Sequence, residues 1–223
     1  MFKKVIGQND WHEVYEELED EVKKPSVYDS FIISLMGDVN GKIVLDYGCG
    51  PGMIGDALEK LNADVDVYDS NERILKIARK RIPEKNIKYN KTDINKNTYD
   101  FVLCNLVLCI VEDEEVVEIS KIIYDSLKKG GIALIGFCNP KIFKIQDTKL
   151  DIRYSGARYK QNHTYIKEKK EGEYFIYEKH RPIEWYSNVF KKESFGISKK
   201  FFTTPYDWKG KQINDFVIFK LTK

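Results

Sequence analysis

The chain has 223 residues, enough for one large domain, or one domain with an added lid, around a full core. Its 42% hydrophobic and 32% charged residues are ordinary for a soluble globular protein. Residues 1–10 contain no apolar h-region, so no signal peptide is expected. The longest apolar stretch, 101–111, is broken by Asn105 and is too short for a bilayer span of about 20 residues. Cys49, Cys104, Cys109 and Cys138 form no CxxC pair, which favours free thiols in a cytoplasmic protein over disulfides or zinc. No metal site is expected.

The net charge of +2 is unevenly spread. Residues 141–223 hold 19 Lys+Arg against 10 Asp+Glu, so the first 140 residues carry −7. Seventeen of the 29 aromatic residues also follow residue 140.

Along the chain, Trp11, Val14, Tyr15 and Leu18 recur at helical spacing within 11–36, a region interrupted by Pro25, with Ser26 as cap for a second helix. Residues 42–46 are a short apolar strand and 53–61 a helix. Residues 63–69 alternate with period two, as a strand does; 71–81 are helical and 86–89 are a third strand. Residues 99–104 are a fourth strand, apolar enough to be central. The helix predicted over 112–127 is stopped by Lys128, Lys129, Gly130 and Gly131, with the lysines at its C-terminus and a glycine cap, before a strand over 132–137. Strands alternating with helices imply right-handed crossovers and a parallel sheet covered on both faces.

The rhythm breaks after Pro140. Residues 141–181 show no clear helix; strands are expected over 164–167 and 174–179 around a charged turn at 170–173. A short helix follows over 183–191, then an antiparallel hairpin of 198–203 and 215–221 with a long connection. One domain over 1–223 is expected, with an N-terminal helical cap over 9–37 and an acceptor-side insertion over 141–181.

The chemistry is concentrated in residues 44–52, Val-Leu-Asp-Tyr-Gly-Cys-Gly-Pro-Gly. Glycines between a strand and a helix let a ligand approach the backbone closely. Gly50 to Gly55 also fits the G-x-G-x-x-G spacing of NAD-binding folds, with Asp69 at a suitable distance. Asp46 weighs against NAD. A pyrophosphate at the next helix N-terminus would face it, and two like charges ~6 Å apart repel by about 3 kcal/mol at an effective dielectric of about 20. S-adenosylmethionine carries an ammonium and a sulfonium and no phosphate. The alternative for Asp46 is a turn cap.

Residues 44–52 resemble the first motif of class I S-adenosylmethionine-dependent methyltransferases, an acid followed by a glycine loop. The resemblance covers roughly 40–140 well and the rest loosely. It implies an α/β fold with a seven-stranded, mostly parallel, doubly wound sheet, a C-terminal antiparallel hairpin and helices on both faces. It also implies that Asp46, Gly48, Cys49, Gly50 and Gly52 hold the cofactor. Asp69, with Ser70 beside it, matches the acid that accepts the ribose hydroxyls. Asp93 and Ile94 match the adenine-contacting segment, and Asn105 and Leu106 the loop facing the methionine end. Residues 127–131 resemble the last core motif.

The first expectation for the acceptor is a small molecule methylated on oxygen or nitrogen. The alternative is RNA, which the basic C-terminal part and Tyr154, Tyr159, Tyr165, Tyr174, Phe175 and Tyr177 would suit by phosphate contact and base stacking. A binding protein without turnover and an NAD-dependent oxidoreductase are the remaining readings. Of three histidines, His180 precedes Arg181-Pro182 where the insertion rejoins the core, which makes it the candidate general base; its alternative is a packed side chain.

Overall fold

The structure, a computed structural model, describes residues 4–7, 10–17, 26–156, 158–171 and 174–223. In chain order, β1 (Val5–Ile6), α1 (Trp11–Glu17) and α2 (Val27–Ser34) come first. Among the described residues the helical region expected over 11–36 holds α1 and the second helix expected after Ser26, α2; Leu18 and Pro25 fall outside the described residues. Ser26 does cap α2: its hydroxyl accepts from Asp29 N at 3.1 Å and Asp29 accepts from Ser26 N at 2.9 Å.

The alternating core follows with β2 (Ile43–Tyr47), α3 (Met53–Glu59), β3 (Asp64–Tyr68), α4 (Glu72–Ala78), β4 (Ile87–Lys88), β5 (Tyr99–Asn105), α5 (Asp113–Ser126) and β6 (Leu127–Cys138). Beyond it come β7 (Asp151–Tyr154), β8 (His163–Lys169), β9 (Phe175–His180), α6 (Ile183–Lys192), β10 (Gly196–Phe202), β11 (Tyr206–Trp208), β12 (Lys211–Ile213) and β13 (Phe216–Thr222).

The main sheet has seven strands in the order β10-β13-β6-β5-β2-β3-β4. The pairs among β2 to β6 are parallel; β13 runs antiparallel to both β6 and β10. This is the expected doubly wound sheet with its C-terminal antiparallel pair, and β5 sits at its centre. Each face is covered by its own core. One joins β5 and β6 to α5 and α6 through Val116, Ile119, Ile123, Tyr186 and Phe190. The other joins β2 and β3 to α2, α3 and α4 through Ile32, Ile54, Leu58 and Leu75. Among the described residues, no helix is long and apolar enough to cross a membrane.

Two local expectations change. Lys128 and Lys129 do not finish α5, because its cap residue Leu127 is already extended and opens β6. The register between β5 and β6 slips after Tyr99–Leu127, and Gly130 takes a φ of +78° at that irregularity, where its N–H donates to Lys223 O. The 141–181 segment also holds more order than expected. β7, β8 and β9 form a second sheet, and β1 adds to it in parallel with β9, so the chain start and this segment share one element. The connection before β13 carries the β11–β12 hairpin, which periodicity did not indicate.

Candidate functional site

The site is built at the carboxyl ends of adjacent parallel strands, where open α/β sheets gather ligands. Asp46 lies one residue before the end of β2, in register with Val67 of β3 and Leu103 of β5. Asp69 follows β3, and Asn105 ends β5. Gly48 and Cys49 both donate to Tyr68 O, at 2.7 and 3.0 Å, which folds the loop across β3.

Gly48 has φ +75°, and a Cβ there would lie 2.2 Å from Val107 Cγ2. Gly50 has φ +54°, and a Cβ there would reach 3.3 Å from the Tyr15 hydroxyl. Any side chain at either place would fill the cradle as well as strain the backbone.

Above this loop lie two joined lobes, cavities of about 580 and 690 Å³. They share Gly48, Gly50, Asn105, Leu106, Tyr15, Tyr174, Lys169 and Phe216 as lining residues. Asp69 and Ser70 line the first lobe; Asp46 and Cys49 line the second. Eight of the sequence-derived residues are thus brought together. Gly52 is not a lining residue: it caps α3 with φ +80° against Ala78 and Ile82. Asp93 and Ile94 line neither lobe. Asp93 caps its own turn by accepting from Asn90 N at 2.9 Å, and Ile94 is buried in the core.

His180 is not brought to either lobe. Its ring stacks on Phe143 at 3.9 Å between centroids, and its Nε2 lies 2.8 Å from Tyr159 O. A carbonyl only accepts, so Nε2 carries the proton. Burial pushes the ring's pKa down. These are the contacts of a packed side chain, the alternative that the sequence offered for His180.

Two polar atoms on the loop side lack partners. Asp46 is 1% exposed and its Oδ2 has no hydrogen bond. Burial, then the charges of Asp29 and Asp69, push its carboxyl up to about 7. Asn105 donates through Nδ2 to Asp29 Oδ1 at 3.2 Å, leaving its own Oδ1 buried and unpaired. Asp69 accepts from Gly50 N at 3.1 Å and Asn71 N at 3.0 Å; burial raises its pKa and these two bonds oppose the rise. A buried acid and a buried carbonyl, both lacking donors beside a glycine cradle, fit a ligand that brings an ammonium.

The sequence did not mark several lining residues as part of the cofactor site. Tyr15 reaches the first lobe from α1, and Tyr174 meets Trp11 edge-on at 6.1 Å. Lys167 and Glu178 enter the first lobe from the inner face of the small sheet, where Lys167 Nζ contacts Glu178 and lies 3.1 Å from Cys138 Sγ. Cys109, Cys138 and Glu178 bring their ligand atoms within 4.8 Å of one another, with that ammonium against them. Asp29 was findable: Ser26 three residues before it is half of a capping box.

Residues 44–131 match a family described as "Methyltransferase domain". The match runs from β2 into β6, the alternating core that carries the glycine loop. It is 30% identical over 119 residues to a ribosomal protein L11 methyltransferase of Campylobacter concisus, covering 51% of this chain and 41% of that one. It is 29% identical over 136 residues to a ubiquinone biosynthesis O-methyltransferase of Shewanella halifaxensis, covering 56% of each. The chain thus spans about half the length of these curated relatives. An S-adenosylmethionine-dependent methyltransferase from Mesorhizobium loti shares the fold, with TM-score 0.67 at 19% identity over 87% of this chain and 96% of that one.

Proposed function

We propose that this chain moves a methyl group from S-adenosylmethionine to oxygen or nitrogen of a small molecule. The observation that carries this is the pair of unpaired acceptors, Asp46 Oδ2 and Asn105 Oδ1, flanking the glycine cradle in a two-lobed crevice. Asp46 and Asn105 would take the ammonium, and Asp69 the ribose hydroxyls, with Gly48 and Gly50 keeping the cradle open. The sulfonium compound supplies an electrophilic methyl carbon there. What the chain adds is alignment of the acceptor and exclusion of water, and orientation alone is worth roughly 7–11 kcal/mol of barrier. Tyr15 and Tyr174 line both lobes, so the N-terminal cap and the 141–181 insertion would together form the acceptor-side cover of one domain.

The RNA alternative gains no support from the aromatics that suggested it. They divide between faces: Tyr165 is buried and Tyr174 lines the crevice, whereas Tyr154 and Tyr177 are about half exposed on the other side of the sheet.

Calorimetry should show binding of S-adenosylmethionine or S-adenosylhomocysteine and none of NAD; tight NAD binding without response to either sulfur compound would sink the proposal. Asp69→Ala should weaken cofactor binding by roughly 1.5–3 kcal/mol, the worth of hydrogen bonds to a charged group. Circular dichroism should show that variant folded. Unchanged affinity in a folded Asp69→Ala protein would mean that the ribose lies elsewhere.

A further inference from the structure

The second lobe has lining residues that the cofactor does not account for. Leu150, Thr203, Thr204, Tyr206 and Asp215 line this lobe as well. Asp215 precedes β13, with its backbone carbonyl tied to Asn139 N at 2.8 Å. Its side chain is more than nine-tenths buried; Tyr206 hydrogen-bonds its carboxyl, while Oδ1 has no hydrogen-bond partner. The nearest cation is Arg153, with Nη2 at 3.9 Å, and that guanidinium is already bonded to Asp151 Oδ2 at 3.1 Å.

The rest of the lobe is acidic too. Asp29, Asp46 and Glu171 line it with Asp215, against Lys169 as the one lysine or arginine among the described lining residues. The Lys169 ammonium is held by Asp151 Oδ1 at 2.7 Å. Taking up the cofactor's ammonium would satisfy Asp46 and Asn105 and leave Asp215 as it is. A buried carboxylate oxygen without a donor is costly, and a ligand that brings an N–H removes that cost. Tyr28 and Phe216, stacked at 3.9 Å between centroids, also line this lobe.

We propose that the methyl acceptor is a small amine and that Asp215 receives its nitrogen. This rests on the methyltransferase reading above and narrows it from oxygen or nitrogen to nitrogen. An acceptor arriving as an ammonium gives a proton to the Asp215 carboxylate and becomes a free amine. The amine nitrogen then displaces sulfur at the methyl carbon: the N–C bond forms from the nitrogen lone pair, and the C–S pair returns to sulfur as a neutral thioether. The methylated ammonium leaves with the positive charge that the sulfonium brought, and Asp215 returns its proton to water.

The test is to incubate the full chain with the small-molecule fraction of its source cells and S-adenosylmethionine carrying an NMR-active carbon in its methyl group. The labelled product is then separated by cation exchange and its methyl identified by NMR. The expected product is retained by the cation exchanger and shows an N-methyl signal. Label in O-methyl or anionic products overturns the amine inference while the methyltransferase reading stands; no labelled product overturns the amine inference, and absence of S-adenosylmethionine binding by calorimetry as well overturns both. Asp215→Asn should raise KM for the retained acceptor about tenfold or more, with the calorimetric Kd for S-adenosylmethionine unchanged. An unchanged KM in that variant removes Asp215 from acceptor recognition.

Discussion

Replacing Lys167 by methionine is expected to cost about 3–5 kcal/mol of folding stability, read as a lower urea midpoint. The Lys167 and Glu178 side chains are 2% and 4% exposed and in direct contact. Asp151 Oδ2 lies 3.9 Å from the same ammonium. The Lys167 charge, with that of Arg153 and a bond from Tyr165, holds the Glu178 carboxyl below its usual range despite burial. Removing the ammonium strands a buried carboxylate, whereas removing both partners does not. Lys167→Met with Glu178→Leu should therefore recover most of the loss. A double variant as unstable as the single one would show that the methionine fails for reasons of shape.

That charged cluster also explains what the sequence hid. The main sheet was legible because its strands are apolar and local crossovers connect them, so Asp46 and Asp69 could be placed at strand ends from the pattern, while Asn105 followed from the family resemblance. In the small sheet the usual pattern is inverted. Asp151, Arg153, Lys167 and Glu178 face inward, while Tyr154, Ile166 and Tyr177 face out. A period-two pattern gives which residues share a face, and hydropathy then picks the buried one; here hydropathy picks the wrong one. The pairing of β1 with β9 was out of reach for a different reason, since two residues at one end of the chain pair with Phe175 and Ile176. Adenine contacts at Asp93 and Ile94 were expected from the resemblance, but the short turn there spends the Asp93 carboxylate on its own cap.

Asp46→Asn should stabilise the ligand-free protein at alkaline pH and weaken cofactor binding. Burial places the Asp46 carboxyl at about 7 in the fold, against 3.8 for an unperturbed group. Between those values the folded state keeps a proton that the unfolded chain has released, so stability falls as pH rises. The contribution is fully present below the unfolded value and is lost as pH passes about 7. Above that pH the buried charge costs up to about 4 kcal/mol, which an uncharged asparagine avoids. The stability gain of Asp46→Asn should thus appear at pH 8 and fade below the carboxylate range. Binding has the opposite sign. An incoming ammonium favours the ionised acid, so at pH 6 the wild-type protein should release close to one proton on taking up S-adenosylmethionine. Its affinity should climb with pH and level off past about 7. Calorimetry in two buffers of different ionisation enthalpy counts that proton directly. In Asp46→Asn the release should vanish and the affinity become weak and flat with pH. Proton release that persists in this variant would assign the titration to another group, and would take the ammonium away from Asp46.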